Sequence, residues 1–204
     1  GPAGTNLWKG GAVSLDVIVH QRGGFSGPMT ITAEGLPAGV HMPPTVVSST
    51  TRGTIVMWSD ADAAEGVGSV KLWATGQIGE KTFRREVRPY ARVFPENNIN
   101  SSRPTREMVV GVLQDKAPYG LKIFPERVQV EAGKKAELKL QVTRYWPEFK
   151  EKVITLGIPN GFTMGTQSIP ANQTEISFTI DVQNNLRPGE YTLAVLGQAQ
   201  VPYT

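Results

Sequence analysis

The stretch "EGLPAGV" (Glu34–Val40) returns, altered but recognisable, as "LGIPNGF" (Leu156–Phe162). Each carries glycine, an apolar residue, proline, a variable residue, glycine and a second apolar residue. Pro37 and Pro159 fix φ, while Gly39 and Gly161 permit a positive φ that other residues avoid. A pattern with that chemistry makes a corner, and its flanking apolar residues pin the corner to a core. None of its side chains is suited to catalysis.

Working outward, the flanks match as well. Upstream, Val13, Leu15, Val17 and Val19 correspond to Ala136, Leu138, Leu140 and Val142, with Gly10 and Gly133 ahead of them. Both runs alternate apolar and polar residues with period two, the mark of a half-buried strand. An aromatic loop follows each, "QRGGFSG" in one and "RYWPEFK" in the other. Downstream, Thr54, Val56 and Trp58 align with Ile176, Phe178 and Ile180, which places Trp58 in the core. "GSVKLWATG" (Gly68–Gly76) then aligns with "GEYTLAVLG" (Gly189–Gly197). The chain is a tandem repeat. A unit of about 100 residues with short strands and regular turns is an Ig-like sandwich, so the expected fold is all-β: two tandem Ig-like antiparallel β-sandwich domains.

The polar stretch "RVFPENNINSSRPTREM" (Arg92–Met108) has little to bury and reads as a junction. The expected division is therefore 1–96 and 97–204, with a linker near 96–106. Two asymmetries accompany it. The second copy has a leading segment, "REMVVGVLQDKAPYGLKIFPERV", with no counterpart before Asn6, so the first copy is expected to lack its first strand and to expose an edge near Asn6–Ala12. The second copy stops at "GQAQVPYT" while the first continues through "EKTFRREVRPYARVF", and the sequence reads as an excerpt of a longer chain at both ends. Gly1-Pro2 reads as a cleavage scar and is set aside.

"GLPAGV", "SDADAAEGVGSVKLWATG", "SSRPTREMVV", "ERVQVEAGKKAELKLQV" and "RPGEYTLAVLGQAQVPYT" together resemble tandem Ig-like modules of large exported bacterial proteins, of the kind found beside pre-peptidase-type domains. They are similar, more loosely, to Ig-like segments associated with some glycosidases. The resemblance implies an extracellular or cell-envelope location and an accessory role. It supplies no ligand and no catalytic motif.

Composition agrees with strands and turns: 39% of residues are hydrophobic, with 22 Gly and 15 Pro in 204 residues. The absence of cysteine removes thiol catalysis, thiolate-bound zinc and disulfides. Residues 1–96 hold nine Lys/Arg against eight Asp/Glu, and residues 97–204 hold twelve against ten. Neither half has the basic footprint of a nucleic-acid reader, and no apolar run approaches the roughly 18 residues of a membrane span.

Candidate chemistry is sparse. His20 leaves its strand on the face opposite Val17 and Val19, and His41 stands beside Pro43-Pro44. No cofactor motif occurs. Asp60, Asp62 and Glu65 alternate in "SDADAAEG", and clustered carboxylates can hold calcium. The spacing lacks the rest of a calcium loop, so a solvated turn is the stronger reading. Arg84, Glu86, Arg88 and Tyr90 share one strand face, a basic stripe interrupted by Glu86. Trp73 points outward with Lys71, and Trp8, which aligns with Glu131, also points outward. An outward aromatic pair beside Arg84 and Arg88 could stack on sugar rings, with Trp146 as a further contact or as a wedge at the joint between domains. The competing reading is that arginine itself stacks on tryptophan.

Two functions follow. The first is a non-catalytic accessory module, a spacer, adhesion or protein-interaction segment of a larger secreted or cell-surface bacterial protein. The second is a carbohydrate-binding module using Trp8, Trp73 and Trp146. Expected partners are other domains of the parent chain, and a polysaccharide or cell-surface protein. An enzyme is not expected, because no acid/base constellation converges.

Overall fold

The computed structural model describes residues 4–20, 25–48, 52–96, 99–156 and 161–201. It is all-β, with no helix among the described residues, and it divides into two compact units, residues 1–115 and 116–204. Each is an Ig-like antiparallel β-sandwich closed round its own core.

The first unit runs β1 (Gly4–Lys9), β2 (Ala12–Ile18), β3 (Met29–Glu34), β4 (Val40–His41), β5 (Thr45–Val47), β6 (Arg52–Ser59), β7 (Gly66–Ile78), β8 (Lys81–Val87), β9 (Tyr90–Glu96), β10 (Ile99–Pro104) and β11 (Met108–Lys116). One sheet has the order β2-β6-β4. The facing sheet has the order β1-β11-β7-β3-β5, with β8 also paired to β7. The long strand β7 divides one of its edges: Gly66–Val70 pairs with β11 and Leu72–Ile78 with β8. Between β8 and β11, β9 and β10 pair, among the described residues, only with each other, and Thr105 N donating to the Pro89 carbonyl at 2.9 Å closes the base of this ribbon.

The second unit runs β12 (Tyr119–Phe124), β13 (Lys135–Arg144), β14 (Val153–Leu156), β15 (Phe162–Thr163), β16 (Ser168–Ile169), β17 (Glu175–Val182) and β18 (Leu196–Gln198). Its sheets have the orders β12-β13-β17-β15 and β16-β14-β18. Its strands form for the reason the sequence suggests. On β13, Ala136, Leu138, Leu140 and Val142 are buried, and Lys135, Glu137 and Lys139 face water. Each fully buried Leu or Val contributes roughly 1.5–3 kcal/mol relative to exposure.

Set side by side, the units repeat one design. β2-β6-β4 matches β13-β17-β15, and β5-β3-β7 matches β16-β14-β18. The corner repeats bond for bond. Asp60 N donates to Gly39 O at 2.8 Å where Gln183 N donates to Gly161 O at 3.0 Å, and Ala63 N to Asp60 O where Leu186 N to Gln183 O, both at 3.2 Å. Gly39 (φ 74°) and Gly161 (φ 96°) adopt the left-handed conformation. A β-carbon would stand 2.9 Å from Ala63 Cβ in the first case and 2.6 Å from Leu186 Cδ1 in the second. The repeated motif is therefore a packed corner, held against the residue that closes the turn after β6 or β17. Pro159 lies outside the described residues.

Three expectations need correction. The division falls after Asp115 rather than at 96–106, because the polar stretch contributes to the paired strands β9 and β10 rather than forming a linker. A two-stranded ribbon pairs alternate backbone groups across its strands and leaves the others to water, so it needs no apolar face. The first part of the supposed leading segment of the second copy is β11, whose Met108, Val110 and Val112 are buried in the first core. Nor does the first unit lack a leading strand: β1 lies beside β11, so the chain around Asn6 is paired. What differs is placement, since β1 joins the β7 sheet whereas β12 joins β13.

The third correction is one residue of register. β4 pairs Val40 with Ser59 and His41 with Trp58, while β15 pairs Phe162 with Val182 and Thr163 with Asp181. Met57, not Trp58, thus occupies the place of Ile180. Met57 is fully buried, and Trp58 is 38% exposed. A slip of one residue exchanges the two faces of a strand. The last strand slips too, since Trp73 lies across from Thr32 and the equivalent Ile154 lies across from Gln198. The slip there is four residues. It is even, so the outward placement of Trp73 stands.

Candidate functional site

The outer face of β3, β7 and β8 carries the residues that the sequence singles out. Thr32 and Glu86 flank Trp73 directly, Glu34 lies across from Lys71, and Arg84 lies across from Thr75. Arg84 therefore reaches from β8 over Trp73 towards Glu34 on β3. Its Cζ sits 4.0 Å above the Trp73 ring centroid, and its Nη2 forms an ion pair with Glu34 Oε1. Trp73 Nε1 donates to Glu34 Oε2 at 2.9 Å. The Arg84 guanidinium first, and the Trp73 indole second, hold the Glu34 carboxyl below the usual carboxylate range. Each partner is at least partly solvated. A cation–π contact at such a place contributes about 0.5–1 kcal/mol.

This arrangement does to Trp73 what a sugar ring would otherwise do. Arginine covers the indole, and glutamate takes its one polar hydrogen. The remaining candidates are dispersed. Trp8, 42% exposed, lies on β1 with β11 between its strand and β7; its carbonyl accepts from Ser59 Oγ and from Gly11 N, both at 2.8 Å. Arg88 is exposed just beyond β8, and Tyr90 is half-buried. Trp146 belongs to the second unit. Its Nε1 donates to Lys116 O at 2.8 Å, and its ring packs on that unit's core beside Phe149, which in turn stacks on Tyr119 at 5.2 Å. Burial raises the Tyr119 phenol above its usual value, and its hydroxyl donates to Gly197 O at 3.0 Å.

Asp60 does not join Asp62 and Glu65. Its carboxylate is 2.9 Å from His41 Nε2, and among the described residues no three acidic or imidazole side chains converge on a point suited to a metal. His20 is exposed, as its place on the strand suggests.

One cluster escaped the sequence reading. His41 stacks on Trp58 at 5.8 Å between ring centroids and bonds Asp60, all on the outer side of β2-β6-β4. Counting forward from Gly10 against Gly133 would have found it, because that offset places Trp58 with the solvated Asp181. Counting from Gly39 against Gly161 returns Ile180, since the span from the corner to the paired strand is one residue longer in the second unit.

No protein-family model matches the chain, and no curated protein matches it. Among solved structures it is similar to the D0-D1 domain of intimin, with 12% sequence identity and a TM-score of 0.29 over 89% of this chain and 82% of that chain. A likeness at that level carries no argument about ligand or partner.

Proposed function

We propose that the chain is a non-catalytic accessory segment, a spacer or adhesive and protein-interaction stretch of a larger secreted or cell-surface bacterial protein. One observation carries this reading: the same two-sheet unit is built twice, each copy round its own core, and what the copies share is corner and core chemistry. Folded units repeated along one chain suit a spacer or a presented adhesive surface. The segment's natural partners are the other domains of the parent chain. The covering of Trp73 by Arg84 weighs against the carbohydrate reading, which relied on that indole, on Trp8 and on Trp146.

Electrophoresis through gels containing neutral and acidic polysaccharides tests the choice. The spacer reading expects unretarded migration for the native protein and for Trp73→Ala alike. Retardation that disappears in Trp73→Ala would sink it in favour of sugar binding. Force–extension of the intact chain supplies the positive test, with two separate unfolding events expected, one per unit. A single event, or gradual yielding without a peak, would remove the mechanical basis of the reading.

A further inference from the structure

The two units differ at one edge. In the second, β12 lies antiparallel along β13, pairing Phe124 with Lys139 and Tyr119 with Arg144. In the first, the equivalent strand β2 pairs with β6, and among the described residues nothing pairs with its other edge. The chain that leads into β2 has gone to the opposite sheet as β1.

The backbone polarity of that edge can be worked out. Gly11 O accepts from Ser59 N, so Val13, Leu15 and Val17 direct their backbone groups at β6. Ser14, Asp16 and Ile18 therefore direct theirs outward. In the second unit Lys134 O accepts from Val182 N, and the same alternation points the groups of Lys139, Gln141 and Thr143 at β12. Lys139 and Gln141 correspond to Asp16 and Ile18. Natural sheets blunt an open edge with lysine, proline, a bulge or brevity. β2 has seven residues in unbroken register, with Asp16 its single charge.

We infer that the β2 edge is a strand-acceptor site, taking an extended segment of another polypeptide antiparallel to Ala12–Ile18 and patterned like β12. The pattern is specified by what β12 does in its own unit: Tyr119, Leu121 and Ile123 alternate along it and pack against the core. The occupant thus presents apolar residues at alternate positions to Val13, Leu15 and Val17, and its backbone supplies the partners for Ser14, Asp16 and Ile18. The site is an interaction surface whichever function the two-unit segment serves.

The probe is a synthetic peptide of the sequence Ala117–Glu126, added to the intact protein and followed by residue-resolved amide hydrogen exchange. The amides of Ser14, Asp16 and Ile18 should slow by about tenfold or more when paired, while those of Val13, Leu15 and Val17, already bonded to β6, should not change. A second peptide with the Leu121→Lys and Ile123→Lys changes keeps the backbone but breaks the alternation, and should give no protection. No slowing with the first peptide would overturn the proposal, as would equal slowing with both. Slowing that grows with protein concentration in the absence of peptide would show that a second copy takes the edge, and would overturn the assigned occupant.

Discussion

Met57 and Trp58 are neighbours in sequence on opposite faces of β6, and exchanging each for alanine separates the two registers of that strand. Met57 has no exposed surface. Truncating a buried Met to Ala costs about 2–5 kcal/mol, through lost transfer energy and the cavity left behind. At about 4 °C per kcal/mol for a unit near 100 residues, a loss of about 3 kcal/mol lowers the transition of the first unit by roughly 12 °C. Trp58 is 38% exposed, and its described ring contact is the His41 stack. Such an aromatic pair contributes about 0.5–1.5 kcal/mol, so Trp58→Ala should lower the same transition by about 4 °C. Scanning calorimetry of the intact chain is the assay, because the second unit's transition serves as an internal reference and should not move. An equal or larger loss from Trp58→Ala would refute the register and, with it, the placement of the exposed His41–Trp58–Asp60 cluster.

Gly39→Ala and Gly161→Ala each force a β-carbon into a neighbour at positive φ; each should cost about 1–3 kcal/mol and lower one calorimetric transition only, the first unit's and the second's respectively. The Glu34 carboxyl is depressed by Arg84 and Trp73, so its stabilisation is fully present above the unfolded-state value and is lost as pH falls through the lower folded value. Glu34→Gln should accordingly flatten the acid limb of the first unit's stability–pH profile, and an unchanged limb would deny the carboxylate that part. Tyr119 has its folded value raised by burial, so its contribution is present below the unfolded phenol range and fades as pH rises through the folded value. Tyr119→Phe should remove that alkaline fade and cost about 1 kcal/mol for the lost bond to Gly197, measurable by urea denaturation.

Much of the fold was legible in the residues alone. The period-two runs Val13–Val19 and Ala136–Val142, together with the two corner motifs, determined an all-β tandem repeat, since alternation and positive-φ glycines are local properties that a sequence displays directly. The outward face of Trp73 was legible for the same reason: side-chain direction alternates strictly, and an error of four residues leaves it unchanged. Pairing is another matter. Which residue of β6 lies across from which residue of β4 is settled by contacts distant in sequence, and a slip of one moved Trp58 from core to surface. Composition could not tell a polar linker from the β9–β10 ribbon, because a ribbon whose outer backbone groups bond to water needs no apolar residues. Nor could it assign β11 to the first core, or send β1 and β12 to different sheets, since both are short alternating segments that fit either edge. The covering of Trp73 by Arg84 needed β8 to lie against β7 and Glu34 to stand on the far side, three strands brought together only by the folded sheet.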